Sequence, residues 1–382
     1  MIITRGLTEL ACLLPQELSF GTATRLLGWQ TQEAAILAES TLRNQVVEHG
    51  QNVRKAELKE AENLLKSLGK PESEGAKPNL APLTSRPRRR PGWPVDLSRS
   101  VDEALLNPTN TPPKGVSSAD WERVLAARRQ ESALSVADLR LLGPEVGTDQ
   151  VLVTTDEVLT RTPKRRSFNE LRTARVVTSQ GARYLSGRGA NFMLVLTAFV
   201  LLCAGRHRCV LLLADGARWI RNWFVDIRWQ LGGCDMILDW YHLCKKCRDL
   251  SSMICKGRQA KKQLLPPLIK SLWNGDVDAA IDRLDKYRED TRNLEKLEEL
   301  IGYLSDRRPY LVDYRERRRE RLYIGSGHVE KANDLIVSQR QKGNGMHWSE
   351  DMSDSLAALK TLILNGGWDA YWKQSKVMPL AA

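Results

Sequence analysis

The sequence has no apolar run long enough to cross a membrane, which takes about 18 to 20 residues. Its longest apolar stretch, FMLVLTAFVLLCAG at 192–205, is typical of a buried helix instead. The amino terminus lacks a basic segment followed by a clean apolar one, so we expect no signal peptide. These absences predict a soluble, cytoplasmic protein without a membrane partner.

Cysteine is sparse, with seven residues scattered through a chain of 382. An odd number at wide spacing does not resemble a disulfide framework, so we expect a reducing compartment. Cys244 and Cys247 form a single C-x-x-C pair, with Cys255 the nearest further cysteine. Zinc binding is one interpretation of this pair. The other is two cysteines on a partly buried helix.

Acidic residues are outnumbered, because 58 Lys and Arg face 46 Asp and Glu, for a formal net charge of +12. A basic excess of this size favours polyanions, whose binding releases counterions. Anionic membrane surfaces are the other partner that such a charge attracts, and we expect nucleic acid instead.

Proline is concentrated in one segment, where nine of the 16 prolines fall between Pro71 and Pro113. Neither helix nor sheet tolerates that density, which predicts a linker or extended arm over 70–118. Within it lies SRPRRRPGWP (85–94). Its arginines indicate either a solvated linker or an arm that lies along the DNA backbone. The DNA contacts predicted for this arm are Arg88, Arg89 and Arg90.

Helical periodicity marks both sides of this linker. Residues 1–69 have apolar positions three and four apart. Within them, 19–50 suggests a helix-turn-helix with its turn at Gly28 and a second helix that begins at Ser40 or Thr41 and presents Arg43 to a DNA groove. Many helix pairs with a glycine turn bind nothing, and that alternative stays open. Residues 119–149 are predicted to be a helical lead-in.

The rest of the chain, 150–382, alternates strand and helix patterns and predicts an α/β fold. A charged, helix-favouring stretch at about 243–322 predicts a helical insertion. The remaining elements follow from apolar runs and amphipathic periodicity. The predicted strands are 151–160, 173–180, 208–217 and 234–242, and the predicted helices are 192–205 and 218–232.

Three aspartates close predicted strands: Asp156, Asp215 and Asp239. Reactive groups gather beyond the carboxyl ends of strands in an open α/β sheet. A carboxylate there needs a partner for its charge, which could be a helix cap for Asp215 or His242 for Asp239. Grouped with Glu330, which follows the glycine-rich turn IGSGHV, these carboxylates would bind a hard divalent cation such as Mg²⁺.

The ordered series LLLADGARWI, DWYH, IGSGHVE and RQKGNGMHW resembles the bacterial insertion-sequence transposases of the Kra type over roughly 150–372. This resemblance implies a DDE catalytic core on a ribonuclease-H-like fold, behind an α-helical DNA-binding region. Asp156, Asp215 and Glu330 then match the three catalytic, metal-binding acids. Asp239 and His242 match the Asp-x-x-His motif of related Mutator and hAT transposases, a supporting element that does not bind metal.

The resemblance also implies a chemistry and a set of partners. Two Mg²⁺ or Mn²⁺ ions would serve both strand cleavage and strand transfer. The partner would be double-stranded DNA, as terminal inverted repeats and as target DNA, and the protein would be associated with the nucleoid in the cytoplasm. A homodimer or larger assembly would join two ends. Arg340 and Lys342, on the glycine-rich turn after the helix of Glu330, would contact the DNA backbone.

One residue departs from the family pattern, because the first aspartate is usually followed by glycine and here precedes Glu157, the next candidate for the first acid. Two other function classes stay open. One is a catalytically inactive, domesticated transposase-derived protein that only binds DNA, and the other is a ribonuclease-H-like nuclease that cuts DNA without joining it.

Overall fold

The computed structural model describes residues 4–33, 36–67, 118, 150–178, 180–205, 209–231, 233–320, 322–343 and 345–374. The predicted lead-in, almost all of the predicted linker and Arg88, Arg89 and Arg90 lie outside these described residues. At the centre is a five-stranded sheet. Its strands are β1 (Gln150–Arg161), β2 (Phe168–Thr178), β3 (Gly181–Gly187), β4 (Cys209–Ala214) and β5 (Cys234–Leu238).

The sheet is mixed, with the order β3-β2-β1-β4-β5. Its first three strands pair antiparallel, and β4 and β5 continue the sheet parallel to β1. The α/β prediction is therefore confirmed, with β1, β2 and β4 near their predicted positions. Strand β3 was not predicted, because its first four residues are not buried and give no alternating apolar pattern.

The predicted strand 234–242 is wrong at its end. β5 stops at Leu238, and a helix begins at Trp240. The change occurs because the Asp239 carboxylate accepts a 2.8 Å hydrogen bond from the backbone N–H of His242 and so caps that helix.

Helices cover the sheet and extend from it. The described helices are α1 (Arg5–Leu13), α2 (Phe20–Thr31), α3 (Glu39–Ser67), α4 (Gly189–Ala204), α5 (Arg218–Ile227), α6 (Trp240–Ile254), α7 (Arg258–Trp273), α8 (Val277–Asp285), α9 (Leu294–Arg307), α10 (Tyr314–Arg319), α11 (Gly327–Asn333), α12 (Gln339–Gln341), α13 (Glu350–Leu364) and α14 (Trp368–Gln374). Within the described part of the chain, none is both long and apolar enough to span a membrane.

The two faces of the sheet carry different helices. Val151 and Val153 share a core with α4 and α5, whereas Leu152 shares one with the helices α6 to α10. The predicted helical insertion is thus confirmed as helical, and it packs on the second face. Because side chains alternate along a strand, Asp156 faces α6 and Glu157 faces α5.

The N-terminal helices depart from the predicted helix-turn-helix. Gly28 is buried inside α2, and the turn begins four residues later at Gln32, whose φ is 57°. The third helix begins at Glu39, not at Ser40 or Thr41. Helix α3 then packs closely along α13, since an added Cβ at Gly50 would lie 2.4 Å from the Ser355 Cβ. The N-terminal helices therefore share one core with α13 and α14.

Candidate active site

Two of the predicted acids stand level just beyond the parallel pairing of β1 with β4. Asp215 follows the end of β4, but Asp156 does not end its strand as predicted, because β1 continues to Arg161 in its pairing with β2. The pairing of β1 with β4 runs to Thr154 and Leu213. Asp156 and Asp215 each lie two residues beyond that pair. Neighbouring strands are about 4.8 Å apart, so the register brings both carboxylates to the same edge of the sheet. This edge is also where the strand order reverses, with β2 and β3 on one side and β4 and β5 on the other.

The environment of Asp156 disfavours its charge. Burial is the main cause that raises the pKa of Asp156 to about 6, and the neighbouring Asp215 carboxylate raises it further. A 2.8 Å hydrogen bond from the Glu157 backbone N–H and the charge of His242 act in the opposite direction. Asp156 and Asp215 therefore form an acidic pair whose repulsion a bound cation would relieve.

Asp215 does not cap the following helix. One of its oxygens accepts a 2.8 Å hydrogen bond from the Ala217 N–H, whereas α5 begins at Arg218 without a side-chain cap. The carboxylate thus closes a short turn at the end of β4 through Oδ1, and Oδ2 takes no part in this hydrogen bond.

Asp239 continues the row across the sheet, one residue beyond the pair Ala214 and Leu238 of β4 and β5. Its side chain is 1% exposed. Oδ1 accepts from the His242 N–H, and Oδ2 accepts from the N–H and, at 2.6 Å, the hydroxyl of Ser326. Burial raises its pKa, but the His242 side chain and these bonds outweigh that effect and lower it to about 2. Asp239 is therefore a charged structural anchor at the end of β5.

His242 stands between Asp239 and Glu330. Its Nδ1 lies 3.3 Å from Asp239 Oδ1, in an alignment that falls short of a hydrogen bond, and its Nε2 lies 3.9 Å from Glu330 Oε1. Contact with the Asp239 carboxylate raises the pKa of His242 against the effect of burial, and Asp215 and Asp156 raise it further. The imidazole is thus in electrostatic contact with all four predicted acids.

Glu330 lies in the first turn of α11, with a side chain 59% exposed. The turn before it is held tightly, because Ser326 binds Asp239 and an added Cβ at Gly325 would lie 2.5 Å from the Tyr241 ring. The glycine-rich turn therefore brings the helix that carries Glu330 against the end of β5.

Asn333 is a site residue that the sequence analysis missed. Its Nδ2 donates a 2.8 Å hydrogen bond to Asp156 Oδ2, and its Oδ1 accepts from the Thr173 hydroxyl of β2. The spacing offers one indication, since Asn333 follows Glu330 by three residues and so shares its helix face.

Arg307 of α9 was missed as well. Its Nη2 lies 3.4 Å from the carbonyl oxygen of Gly216, which follows Asp215, and its guanidinium lies 4.0 Å from the centre of the Tyr303 ring. Burial lowers the pKa of Arg307, and the Asp215 carboxylate acts in the opposite direction. The helical insertion therefore adds a cation beside the second acid.

The donor types at this edge suit a hard divalent cation, because carboxylate oxygens are the ligands that Mg²⁺ and Mn²⁺ prefer. Among the described residues, no three His, Cys, Asp or Glu side chains converge closely enough to hold a metal ion. Asp156 and Asp215 fit such a cation through their shared edge and their repulsion. Glu330 is an exposed carboxylate whose Oε1 lies 3.9 Å from His242 Nε2.

The C-x-x-C pair is buried in α6. Burial raises the pKa of Cys244 to about 11 and that of Cys247 to about 12, which disfavours the thiolate that zinc requires. This environment supports the interpretation of the pair as packed core residues.

The residues predicted to contact DNA fall into different environments. Arg43 is half exposed, pairs with Glu39 and lies 4.4 Å from the centre of the Phe20 ring. Arg340 is buried, where its Nε donates to the Pro15 carbonyl and burial lowers its pKa to about 10. Its surroundings favour a packing role. Lys342 is exposed and stays available to a DNA backbone.

A search of protein-family models and of curated proteins found no match to this chain.

Proposed function

We propose that this chain is a DDE transposase, which binds the ends of an insertion sequence and catalyses metal-dependent DNA strand cleavage and strand transfer. One observation carries the proposal: Asp156 and Asp215 stand level just beyond the end of the parallel pairing of β1 with β4, where the strand order reverses. An acidic pair at that point of an α/β sheet is suited to binding metal and phosphate.

The topology supports the ribonuclease-H-like part of the proposal. That fold has three antiparallel strands followed by two parallel ones in the order 3-2-1-4-5, and the sheet has this arrangement. The helices α6 to α10 lie between the second acid and the third, as the resemblance to the Kra-type transposases implies.

In this proposal Asp156, Asp215 and Glu330 hold Mg²⁺ or Mn²⁺. Bound there, a pair of ions would activate a water or a 3′-hydroxyl and stabilise the leaving oxygen of the phosphodiester. Asp239 fixes the end of β5 against Ser326 and orients His242. His242 in turn restrains the exposed carboxylate of Glu330. Each of these residues thus either holds a cation or positions a side chain that holds one.

The proposed DNA contacts rest on charge and exposure. The net charge of +12 favours a polyanionic partner, and Arg43 and Lys342 are accessible cations on the described surface. Arg88, Arg89 and Arg90 would extend the contact along the backbone. Joining two DNA ends requires two active sites, so we propose a homodimer or larger assembly.

The experiment is cleavage of a labelled DNA duplex that carries the inverted repeat flanking the gene, with Mg²⁺ or Mn²⁺. The wild type should cut the strand and join it to a second DNA. Asp156→Asn, Asp215→Asn and Glu330→Gln should each lose several orders of magnitude in rate but still bind the end. Asp226→Asn, on the exposed face of α5, serves as the control and should act like the wild type.

Each outcome separates the function classes. End binding without cleavage in the wild type would favour the inactive DNA-binding protein. Cleavage without joining would favour the nuclease. If Asp156→Asn alone kept its activity, the assignment of the first acid would be wrong. Glu157, the alternative from the sequence, is disfavoured because its carboxylate accepts from Trp219 Nε1 of α5 on the other face of the sheet.

A further inference from the structure

The Asn333 side chain is held at both ends. Its amide nitrogen donates to Asp156, and its amide oxygen accepts from the Thr173 hydroxyl of the neighbouring strand. The side chain is buried, as is Thr173. The direction of this amide is therefore set mainly by Asp156, because a flip would face the amide oxygen to the carboxylate, acceptor to acceptor, whereas the Thr173 hydroxyl can donate or accept.

The two bonds to Asp156 limit how its carboxylate can turn. Oδ2 accepts from Asn333, and Oδ1 accepts from the Glu157 backbone N–H at 2.8 Å. A carboxylate offers about four lone-pair positions, so each oxygen keeps a direction for a further ligand. The remaining directions are fixed, because both oxygens are already tied to the protein.

Asn333 also connects the first acid to the third. Glu330 and Asn333 lie three residues apart in α11 and face the same side. A π-helical turn, Asp334–Ser338, begins directly after Asn333, and such turns shift the angular register of a helix and are frequent at functional sites. The helix face that carries Glu330 and Asn333 is thus oriented independently of the residues that follow the π-helical turn.

We propose that Asn333 is a positioning residue for the metal site: it holds the Asp156 carboxylate in the rotamer that meets a divalent cation, and it couples that rotamer to the helix of Glu330. The inference rests on the proposed function. Removing a group that orients a ligand typically costs 10–100-fold in metal affinity or activity. Asn333→Ala should therefore weaken binding by about that factor.

The experiment measures Mn²⁺ binding to the full chain from the electron paramagnetic resonance signal of the free ion, beside the cleavage assay. The Mn²⁺ Kd of Asn333→Ala should rise about 10–100-fold. Thr173→Val, which removes the hydroxyl that orients the amide, should shift the Kd in the same direction by less. The double variant should bind no worse than Asn333→Ala alone, because both changes act through one contact.

The matched control is Thr160→Val, another buried threonine of the sheet, whose hydroxyl contacts the Ser353 hydroxyl at 3.2 Å. It should keep the Mn²⁺ affinity of the wild type. A folded Asn333→Ala with unchanged Mn²⁺ affinity and cleavage rate would overturn the inference while leaving the proposed function intact. If Asn333→Ala does not fold, an unchanged affinity in Thr173→Val overturns it. A wild type that binds no Mn²⁺ would refute the proposed function, and this inference with it.

Discussion

Asp239→Asn tests the distinction between a structural carboxylate and the acids that bind metal. The substitution keeps the shape of Asp239 but removes its charge and turns one acceptor into a donor. That donor would face a backbone N–H, either that of His242 or that of Ser326. A buried donor that meets another donor loses its hydrogen bond and pays the cost of desolvation. We therefore expect the folded state to lose stability.

The size of the loss follows from the pKa of Asp239, which the fold lowers from 3.8 to about 2. At 1.36 kcal/mol per unit this is roughly 2.5 kcal/mol in favour of the charged form. The same range, about 1.5–3 kcal/mol, is typical of hydrogen bonds to a charged group. Asp239→Asn should thus lower the free energy of unfolding by about 2 to 3 kcal/mol at neutral pH.

The pH dependence has a definite sign. Because folding lowers the pKa of Asp239, its contribution is fully present above the unfolded value near 4 and is lost as the pH falls through about 2. A protonated carboxyl, like an amide, presents a donor at this position. The stability difference between wild type and variant should therefore be largest above about pH 5 and shrink towards pH 2.

The assay is urea unfolding followed by tryptophan fluorescence at pH 7, 5, 4 and 3, read from the midpoint at constant slope. Asp249→Asn, on the exposed side of α6, is the control and should stay within about 0.5 kcal/mol of the wild type. Wild-type stability in Asp239→Asn at pH 7 would refute the anchoring role. If the stability difference between wild type and Asp239→Asn were as large at pH 3 as at pH 7, the charge of Asp239 would not be its cause.

The remaining predictions concern packing and DNA binding. Gly325→Ala should lower both the Tm and the cleavage rate. The added Cβ would lie 2.5 Å from the Tyr241 ring and must displace the turn before Glu330. Gly50→Ala should lower the Tm through overpacking of about 1–3 kcal/mol against α13, whereas Gly302→Ala, with open space around it, should not. Alanine at Arg88, Arg89 and Arg90 together should flatten the salt dependence of end binding by roughly 2.7 in log–log slope, as fluorescence anisotropy would show. An unchanged Tm in the first two variants, or an unchanged slope in the third, would contradict them.

The buried strand β4 and the acid that follows it were predictable from sequence, whereas Asp156, predicted to end its strand, lies inside β1. β4 is a continuous apolar run of the kind that lies between other strands, and Asp215 follows it directly. The same reasoning located the helical insertion. These features depend on local pattern, which a single sequence carries.

Features that depend on distant contacts were not predictable. Helix α6 begins at Trp240 because Asp239 caps it. The sequence does not show this cap, because the apolar pattern continues past Asp239. The burial of Arg340 depends on Pro15, 325 residues away in sequence. The bond from Asn333 to Asp156 spans 177 residues. Such contacts appear only once the register of the sheet has set which residues meet.

In the proposed function, Asp156, Asp215 and Glu330 act together with divalent cations on DNA. The most direct measurement compares wild type and Glu330→Gln for cleavage and joining of the labelled end, with Mg²⁺ or Mn²⁺ and with the cations removed by a chelator. The wild type should cut and join only with the cation present. Glu330→Gln should bind the end with wild-type affinity and cut it several orders of magnitude more slowly. Full cleavage by Glu330→Gln, or cation-independent cleavage by the wild type, would contradict the account.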